Sequence, residues 1–445
     1  MSFTRLMRPL SLLLALCSAA PAFAQSGAAD DELLFRDVRV LDTVRGRLGT
    51  PVDVLVRGNR IAAIGAAAAS PKARVIDGRG RTLMPGLIDA HWHSTFTALS
   101  QADLLASAGA PEKLAAKVAA ESERTLLRGF TSVRDVGGPI FELKAAIDAG
   151  QVRGPRIWPA GATISQTAGH GDMRQPQERS RRFFGKPALA EEMGATFIAD
   201  GRDEVLAAVR ENLRGGASQI KLMAGGGTSS AYDPVDVTQY TLDEMRAAVE
   251  AAEDWGTYVT VHAYTVRAVR RAIEAGVKCV EHGQLLDEDT LKLMASRGVW
   301  LSSQTLRPST ENMDPLRREK RKPVIEGQAR MWAMAKRAGV RLAWGTDFLF
   351  EPELNAEQND FILGLREWFT PAEILKMVTH DNAELLALSG LRSPYAGRLG
   401  VVEEGALADL LLVQGNPLED LQVIADPARN FAVIVKDGKV VKSAD

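Results

Sequence analysis

Cysteine is nearly absent: the 445 residues contain two, Cys17 and Cys279. The first lies in a stretch expected to be removed, so Cys279 would stand alone in the mature protein and no intrachain disulfide is available. Stability must come from a hydrophobic core. An excess of charge of either sign is missing too, with 54 Lys and Arg against 56 Asp and Glu; no nucleic-acid partner is expected from such a balance. No apolar run is long enough to span a bilayer. The N-terminal run, Leu10 to Ala20, follows Arg5 and Arg8 and precedes Ala22-Phe23-Ala24, the order of a signal peptide cut before Gln25. Residues 1–24 are therefore expected to be a leader and the mature protein to be periplasmic or secreted. Leu14-Ala15-Leu16-Cys17 matches a lipobox poorly, because a bulky Leu precedes the Cys. Gly225-Gly226-Gly227 lacks the G-K-[ST] ending of a phosphate loop.

What is present is a globular composition, 46% hydrophobic and 25% charged, which excludes a disordered chain. From Leu33 to Met84 short alternating runs are broken by turn residues, with Gly58-Asn59 inside a hairpin signal. The C-terminal end reads likewise: "ADLLLV" and "FAVIVKDGKVVKS", the latter turning at Asp437-Gly438. Between these ends, short apolar strands alternate with Ala-, Leu- and Glu-rich amphipathic stretches, the pattern of repeated βα units. Eight strands are predicted, at 83–93, 131–137, 156–161, 218–224, 258–263, 279–283, 300–304 and 341–347. The fold class that follows is α/β: a (β/α)8 TIM barrel over 85–388, with a small β-sandwich assembled from 25–84 and 389–445.

Barrel enzymes place their chemistry at the C-terminal ends of strands. "MPGLIDAHWHS" puts His91 and His93 there, and the strand period of two aims both to one face while Trp92 points away. An H-x-H alone is a weak signal. Yet His262 in "YVTVHAYT", His282 in "KCVEHGQ" and Asp347 in "RLAWGTD" also end β-like runs, so four of the six histidines occupy such positions. Imidazole and carboxylate ligands suit zinc or a similar divalent ion. Lys221 in "ASQIKLMAGGG" also ends a strand, where an ammonium would repel a metal. Either it reaches the surface, or it has reacted with CO2 to become an anionic carbamate. The glycines after it are read as letting backbone pass close to the metals.

The markers "PGLIDAHWH", "GFTSVRDVGG", "QTAGHGD", "IKLMAGGG", "VHAYT", "EHG", "GTD" and "GRLGVVEEGALADLLLVQGNPLED" together resemble the metal-dependent amidohydrolase superfamily over nearly the whole mature chain. The combination of "QTAGHGD", "VHAYT" and a strand-four lysine is similar to its binuclear, prolidase-like branch, which cleaves dipeptides or N-acyl amino acids at the C-terminal residue and neighbours ochratoxin-degrading amidohydrolases. The resemblance implies two divalent metal ions, His91, His93 and Asp347 on one, His262 and His282 on the other, with carbamylated Lys221 as bridge. It also implies that Asp347 takes the proton of the bridging water. His170 and Tyr264 would face the substrate, helped by an arginine of the 174–182 loop that holds a carboxylate. A small-molecule amide substrate and a homo-oligomer are expected.

Asp89 and Asp135 are either orienting groups beside the ligands or inner structural carboxylates, and Arg134 should point away from Asp135. His380 and Asp409 read as structural. Phe183 and Phe184 either welcome apolar groups at the barrel mouth or pack in the core. The basic run after the seventh strand reads as a solvated helix face. Thr228 and Ser229 replace the family's usual hydrophobic residue, a departure that bears on pocket shape. Two rivals remain on the same fold: a mononuclear deaminase or cyclic-amide hydrolase, and a silent binding protein, which should lack ligands.

Overall fold

The computed structural model describes residues 32–106, 111–230 and 232–443. The expected leader and Cys17 lie outside the described residues. Both chain ends meet in one mixed sheet. Strands β1 (Glu32–Asp42), β2 (Arg47–Arg57), β3 (Arg60–Ile64), β4 (Arg74–Asp77) and β5 (Thr82–Pro85) come from the N-terminal side, and β16 (Leu410–Val413), β17 (Phe431–Lys436) and β18 (Lys439–Ser443) from the C-terminal side. The order is β18-β17-β16-β5-β1-β2-β3, with β4 on β1. Both hairpin signals are realised: Arg57 pairs with Arg60, and Lys436 with Lys439. In the second turn Asp437 and Gly438 both have positive φ, 56° and 71°, as a two-residue turn matched to strand twist requires.

The middle of the chain is built from parallel strands alternating with helices. Strands β6 (Leu87–Trp92), β7 (Phe130–Asp135) and β8 (Arg156–Pro159) form one sheet. In the other, β9 (Thr163–Ser165), β10 (Thr196–Ile198), β11 (Ile220–Met223), β12 (Val259–Thr265), β13 (Cys279–Leu285), β14 (Trp300–Ser303) and β15 (Arg341–Trp344) run in the order β10-β9-β11-β12-β13-β14-β15. Every residue of β6, β7, β8, β11 and β14 is buried, as strands covered on both faces must be. Local chemistry starts the intervening helices. For 242–254, Thr241 and Glu244 form a reciprocal capping box.

Hydrogen bonds join the two parallel sheets at both seams. Ser218 N donates to Pro159 O at 2.7 Å on one side, and Asp347 N to His91 O at 2.8 Å on the other. The architecture is a TIM-barrel-like α/β fold. Two differences from the predicted strands matter for the site. The third strand is broken at 160–162, where Gly161 takes a φ of 78°, and resumes as β9. The eighth ends at Trp344, so Gly345, Thr346 and Asp347 turn over the strand ends instead of continuing the ladder. No helix among the described residues is long and apolar enough to cross a membrane.

Candidate metal centre

His91 and Lys221 lie within β6 and β11, His262 within β12 and His282 within β13, while His93 and Asp347 follow β6 and β15. The fold brings these six together. Asp347 Oδ1 lies 3.1 Å from His91 Nε2 and 3.3 Å from His93 Nε2. One ligand atom from each of His91, His93 and Asp347 falls within 4.8 Å of the others. The rings of His91 and His282 are 5.0 Å apart, and those of His262 and His282 4.3 Å apart. Two of the residues are backbone outliers: His282 has φ 79° and Asp347 φ 56°. Non-glycine residues held there cost about 1–3 kcal/mol each and collect at functional sites.

Whether the residues suit a metal can be tested on the second nitrogen of each imidazole. His91 Nδ1 lies 2.8 Å from Glu281 Oε2, His93 Nδ1 2.8 Å from Gly137 O, His282 Nδ1 2.8 Å from Gln304 Oε1, and His262 Nε2 3.1 Å from Gly226 O. Each of these oxygens accepts, so each of these nitrogens donates. The remaining nitrogen of every neutral ring carries a lone pair, as an ion requires. Electrostatics agree. Burial pushes the pKa of His262 well below the ordinary value and that of His282 down to about 3, which keeps both rings neutral. Burial also opposes charge on His91, but Asp347 and Glu281 on either side raise its pKa, so the ring sits among anions where a cation is welcome. Burial works against ionised Asp347, yet the surrounding imidazoles hold its carboxyl well below the usual range. Lys221 is 1% exposed and burial lowers its pKa. The chemistry of this set fits divalent ions.

Asp89 accepts from His91 N, Thr346 N, Thr346 Oγ1 and Gln358 Nε2 at 2.7–3.2 Å, clamping β6 to the Asp347 turn. Asp135 accepts from Ser94 N at 2.7 Å and Gly137 N at 3.2 Å, which shapes the turn whose carbonyl holds His93; burial raises its pKa to about 6. Arg134 points into the interior beneath the histidines. His380 pairs with Asp381 at 2.8 Å in the 377–381 turn. Asp409 forms an ion pair with Arg156 at 2.7 Å, between the terminal sheet and β8. His170 stacks on His262 with centroids 4.0 Å apart, and its Nδ1 lies 2.9 Å from Ser230 Oγ and 3.5 Å from Asp233 Oδ2. The Tyr264 ring is 5.1 Å from His262 and 5.0 Å from His282, and burial pushes the pKa of its hydroxyl up.

Several expectations change. The glycines after Lys221 make room for protein groups: a Cβ on Gly226 would fall 1.7 Å from Pro234 O, and one on Gly227 1.9 Å from His170 Cε1. The arginines at 174, 179, 181 and 182 are engaged near their own loop, Arg174 with Asp172, Arg179 over the Phe184 ring, Arg181 with Glu191 and Arg182 with Glu204. Phe183 and Phe184 are 78% and 56% exposed, so neither packs in the core. The basic run is only partly solvated. On the helix 315–338, Lys320 Nζ donates to Ser230 O at 2.7 Å, and half-buried Arg321 interacts electrostatically with Tyr264 and Asp347.

Sequence reasoning missed Glu281, Arg134, Gln304 and Asp233. A signal existed for two of them, since Glu281 and Arg134 are charges inside apolar strands and buried charge demands a partner. Strand alternation sends Glu281 and His282 to opposite faces. The positive φ of His282 breaks that alternation and lets both serve one cluster.

A family model described as the amidohydrolase family matches residues 82–441. The chain belongs to the amidohydrolase family. This amidohydrolase is 32% identical to ochratoxinase of Aspergillus niger over 372 residues, 81% of this chain and 75% of that one. A prolidase crystallised with N-methylphosphonate-L-proline superposes with a TM-score of 0.84 at 35% identity, covering 93% of this chain and all of the other, 100%. A Xaa-Pro dipeptidase with bound methionine in the active site gives 0.78 at 29% identity, over 93% and 100% of the two chains. The amidohydrolase is thus a hydrolase acting on amide bonds.

Proposed function

We propose that this amidohydrolase cleaves N-acyl amino acids or dipeptides that carry a free C-terminal carboxylate, using two divalent ions. One would be held by His91, His93 and Asp347, the other by His262 and His282, with Lys221 bridging as a carbamate. The observation that carries the reading is the set of four buried imidazoles, each with one nitrogen committed to a protein acceptor and the other left for an ion. Lys221 supports it as well: burial disfavours its ammonium, and a neutral amine adds CO2 with loss of one proton to give the anionic bridge. Divalent ions at this place would polarise the amide carbonyl and lower the pKa of water.

Asp347 would hold the proton released by the water and pass it to the leaving amine nitrogen. His170 and Tyr264 would contact the substrate, and Arg321 takes over the carboxylate-holding part first sought in the 174–182 loop. A free carboxylate beside the scissile bond accords with the ligand of the related prolidase, an amino acid bearing a phosphonate on its nitrogen. In the same reading the two parallel sheets close as a (β/α)8 barrel. The terminal sheet would double over as a sandwich, a reading supported by β1 carrying β4 along its first half and β5 along its second. Export after loss of residues 1–24 and assembly into a homo-oligomer belong to this proposal too.

A mononuclear alternative would need only His91, His93 and Asp347, whose ligand atoms lie within 4.8 Å of one another. Elemental analysis decides between them, together with a hydrolysis screen of N-acyl amino acids and dipeptides on the same preparation. Two ions per chain are expected. One ion in fully active enzyme would remove the second site, and turnover of cyclic amides without any of acyl amino acids would remove the substrate class.

A further inference from the structure

Below the metal centre a buried chain of polar groups continues from Glu281, the acceptor of His91 Nδ1, to Arg134. Arg134 and Glu281 are both fully buried, 0% exposed, and their Nη2 and Oε1 atoms are 2.6 Å apart. His91 Nδ1 lies 2.8 Å from the other carboxylate oxygen, Oε2, and 3.2 Å from Gln304 Nε2; the carboxylate is the nearer and the charged partner, so Nδ1 donates to it. Arg134 is itself saturated: Nε donates to Ala90 O at 2.6 Å, Nη1 to Tyr258 Oη at 3.2 Å and Cys279 Sγ at 3.7 Å, and Nη2 also to Ser302 Oγ at 3.2 Å. Thr260 Oγ1 donates to Glu281 as well. These groups come from β6, β7, β12, β13 and β14 and from the residue before β12, so the cluster is anchored to half of the ten parallel strands.

A buried ion pair is weak evidence for stability, since apolar residues of similar volume often serve as well. This pair has a different consequence. A carboxylate only accepts, so it holds His91 as the Nδ1–H tautomer and aims the Nε2 lone pair at the place shared with His93 and Asp347. Arg134 in turn keeps Glu281 ionised and in place, 190 residues from the histidine it orients. We propose that Glu281, braced by Arg134, is a positioning residue that fixes the tautomer and direction of His91 and thereby sets how tightly the first ion is held. The inference rests on the metal-dependent reading above, and the experiment separates the two.

Removing Glu281 alone would strand a buried guanidinium, so the comparison uses two doubles without either charge: Arg134→Met/Glu281→Gln, which keeps an acceptor for His91, and Arg134→Met/Glu281→Leu, which does not. Zinc affinity is measured by competition with a chelator on the full-length protein. Loss of an acceptor next to a metal-bound imidazole typically weakens binding about 10–100-fold. The Leu double is expected to show that loss at one site, and the Gln double to recover most of it. Equal affinities in the two doubles would overturn the proposal, because a merely structural pair affects both alike. Failure of the wild type to bind zinc would instead overturn the metal reading itself. A further measurement needs no variant: in zinc-loaded wild type with 15N-labelled histidine, His91 should carry its proton on Nδ1, and a proton on Nε2 would overturn the proposal even if neither double folds.

Discussion

Asp347 touches His91 twice, donating its backbone N–H to His91 O at 2.8 Å and placing its carboxylate 3.1 Å from His91 Nε2. The backbone bond ties the turn after the last parallel strand to the first one. The side chain is thereby delivered to the imidazoles from beyond the last parallel strand, 256 positions after His91 by number.

That placement makes Asp347→Asn a test of proton transfer. The amide keeps the volume and the backbone bond, so the protein should fold and melt normally. If Asp347 carries the proton, kcat on an N-acyl amino acid falls by about 10² or more. An unchanged kcat moves the role to another group.

Lys221→Ala should abolish nearly all hydrolysis, because it removes the anion proposed to bridge the ions. Added acetate or propionate is expected to restore part of it by supplying a carboxylate in the same space. Full activity without any additive would make Lys221 an ordinary buried amine.

Gly227→Ala tests the site's shape. The new methyl would fall 1.9 Å from the His170 ring, which must leave its stack on His262. The ion content should stay that of wild type while kcat/KM drops about tenfold or more, the cost of losing about one or two substrate hydrogen bonds. An unaltered kcat/KM would detach His170 from the substrate.

The carboxylate clamp is tested by pairing a substrate change with Arg321→Gln. Amidating the substrate's carboxylate should lower kcat/KM about 10 to 150-fold in wild type, the worth of a charge-assisted hydrogen bond of roughly 1.5–3 kcal/mol. In the variant, acid and amide should differ much less. Equal rates on acid and amide in wild type would remove the clamp, and an undiminished preference in the variant would move it away from Arg321.

Asp409→Asn addresses stability. Its ion pair with Arg156 joins the terminal sheet to β8, with side chains 2% and 5% exposed. Arg156 keeps a second partner, Asp437 at 2.6 Å, so losing the Asp409 charge should cost about 1–3 kcal/mol; the melting temperature should fall while kcat at permissive temperature stays near wild type. A matching loss of kcat would give Asp409 a part in the chemistry.

Much of this protein is readable in one dimension because the signals are local. Periodicity of two marks strands whether or not their neighbours are known, Asp437-Gly438 specifies a turn through its own backbone preferences, and a polar residue closing an apolar run announces itself at His91, His262 and His282. What stays hidden depends on groups that meet only when strands are laid side by side. The acceptors that choose each imidazole's free nitrogen include Gly137 O and Gly226 O, backbone atoms that every residue type shares. Glu281 becomes an anchor for His91 because β6 and β13, from different sheets, present both side chains to the same interior and because His282 adopts a φ that alternation does not foresee. Lys320 and Arg321 leave the solvated face once their helix is docked against the Ser230 loop. Which kinds of side chain stand at the strand ends is written along the chain, since burial pattern and residue chemistry are local. Which nitrogen of each ring is free, and which charges reach the site, follows from the packed fold, because hydrogen-bond direction is a property of space between distant segments.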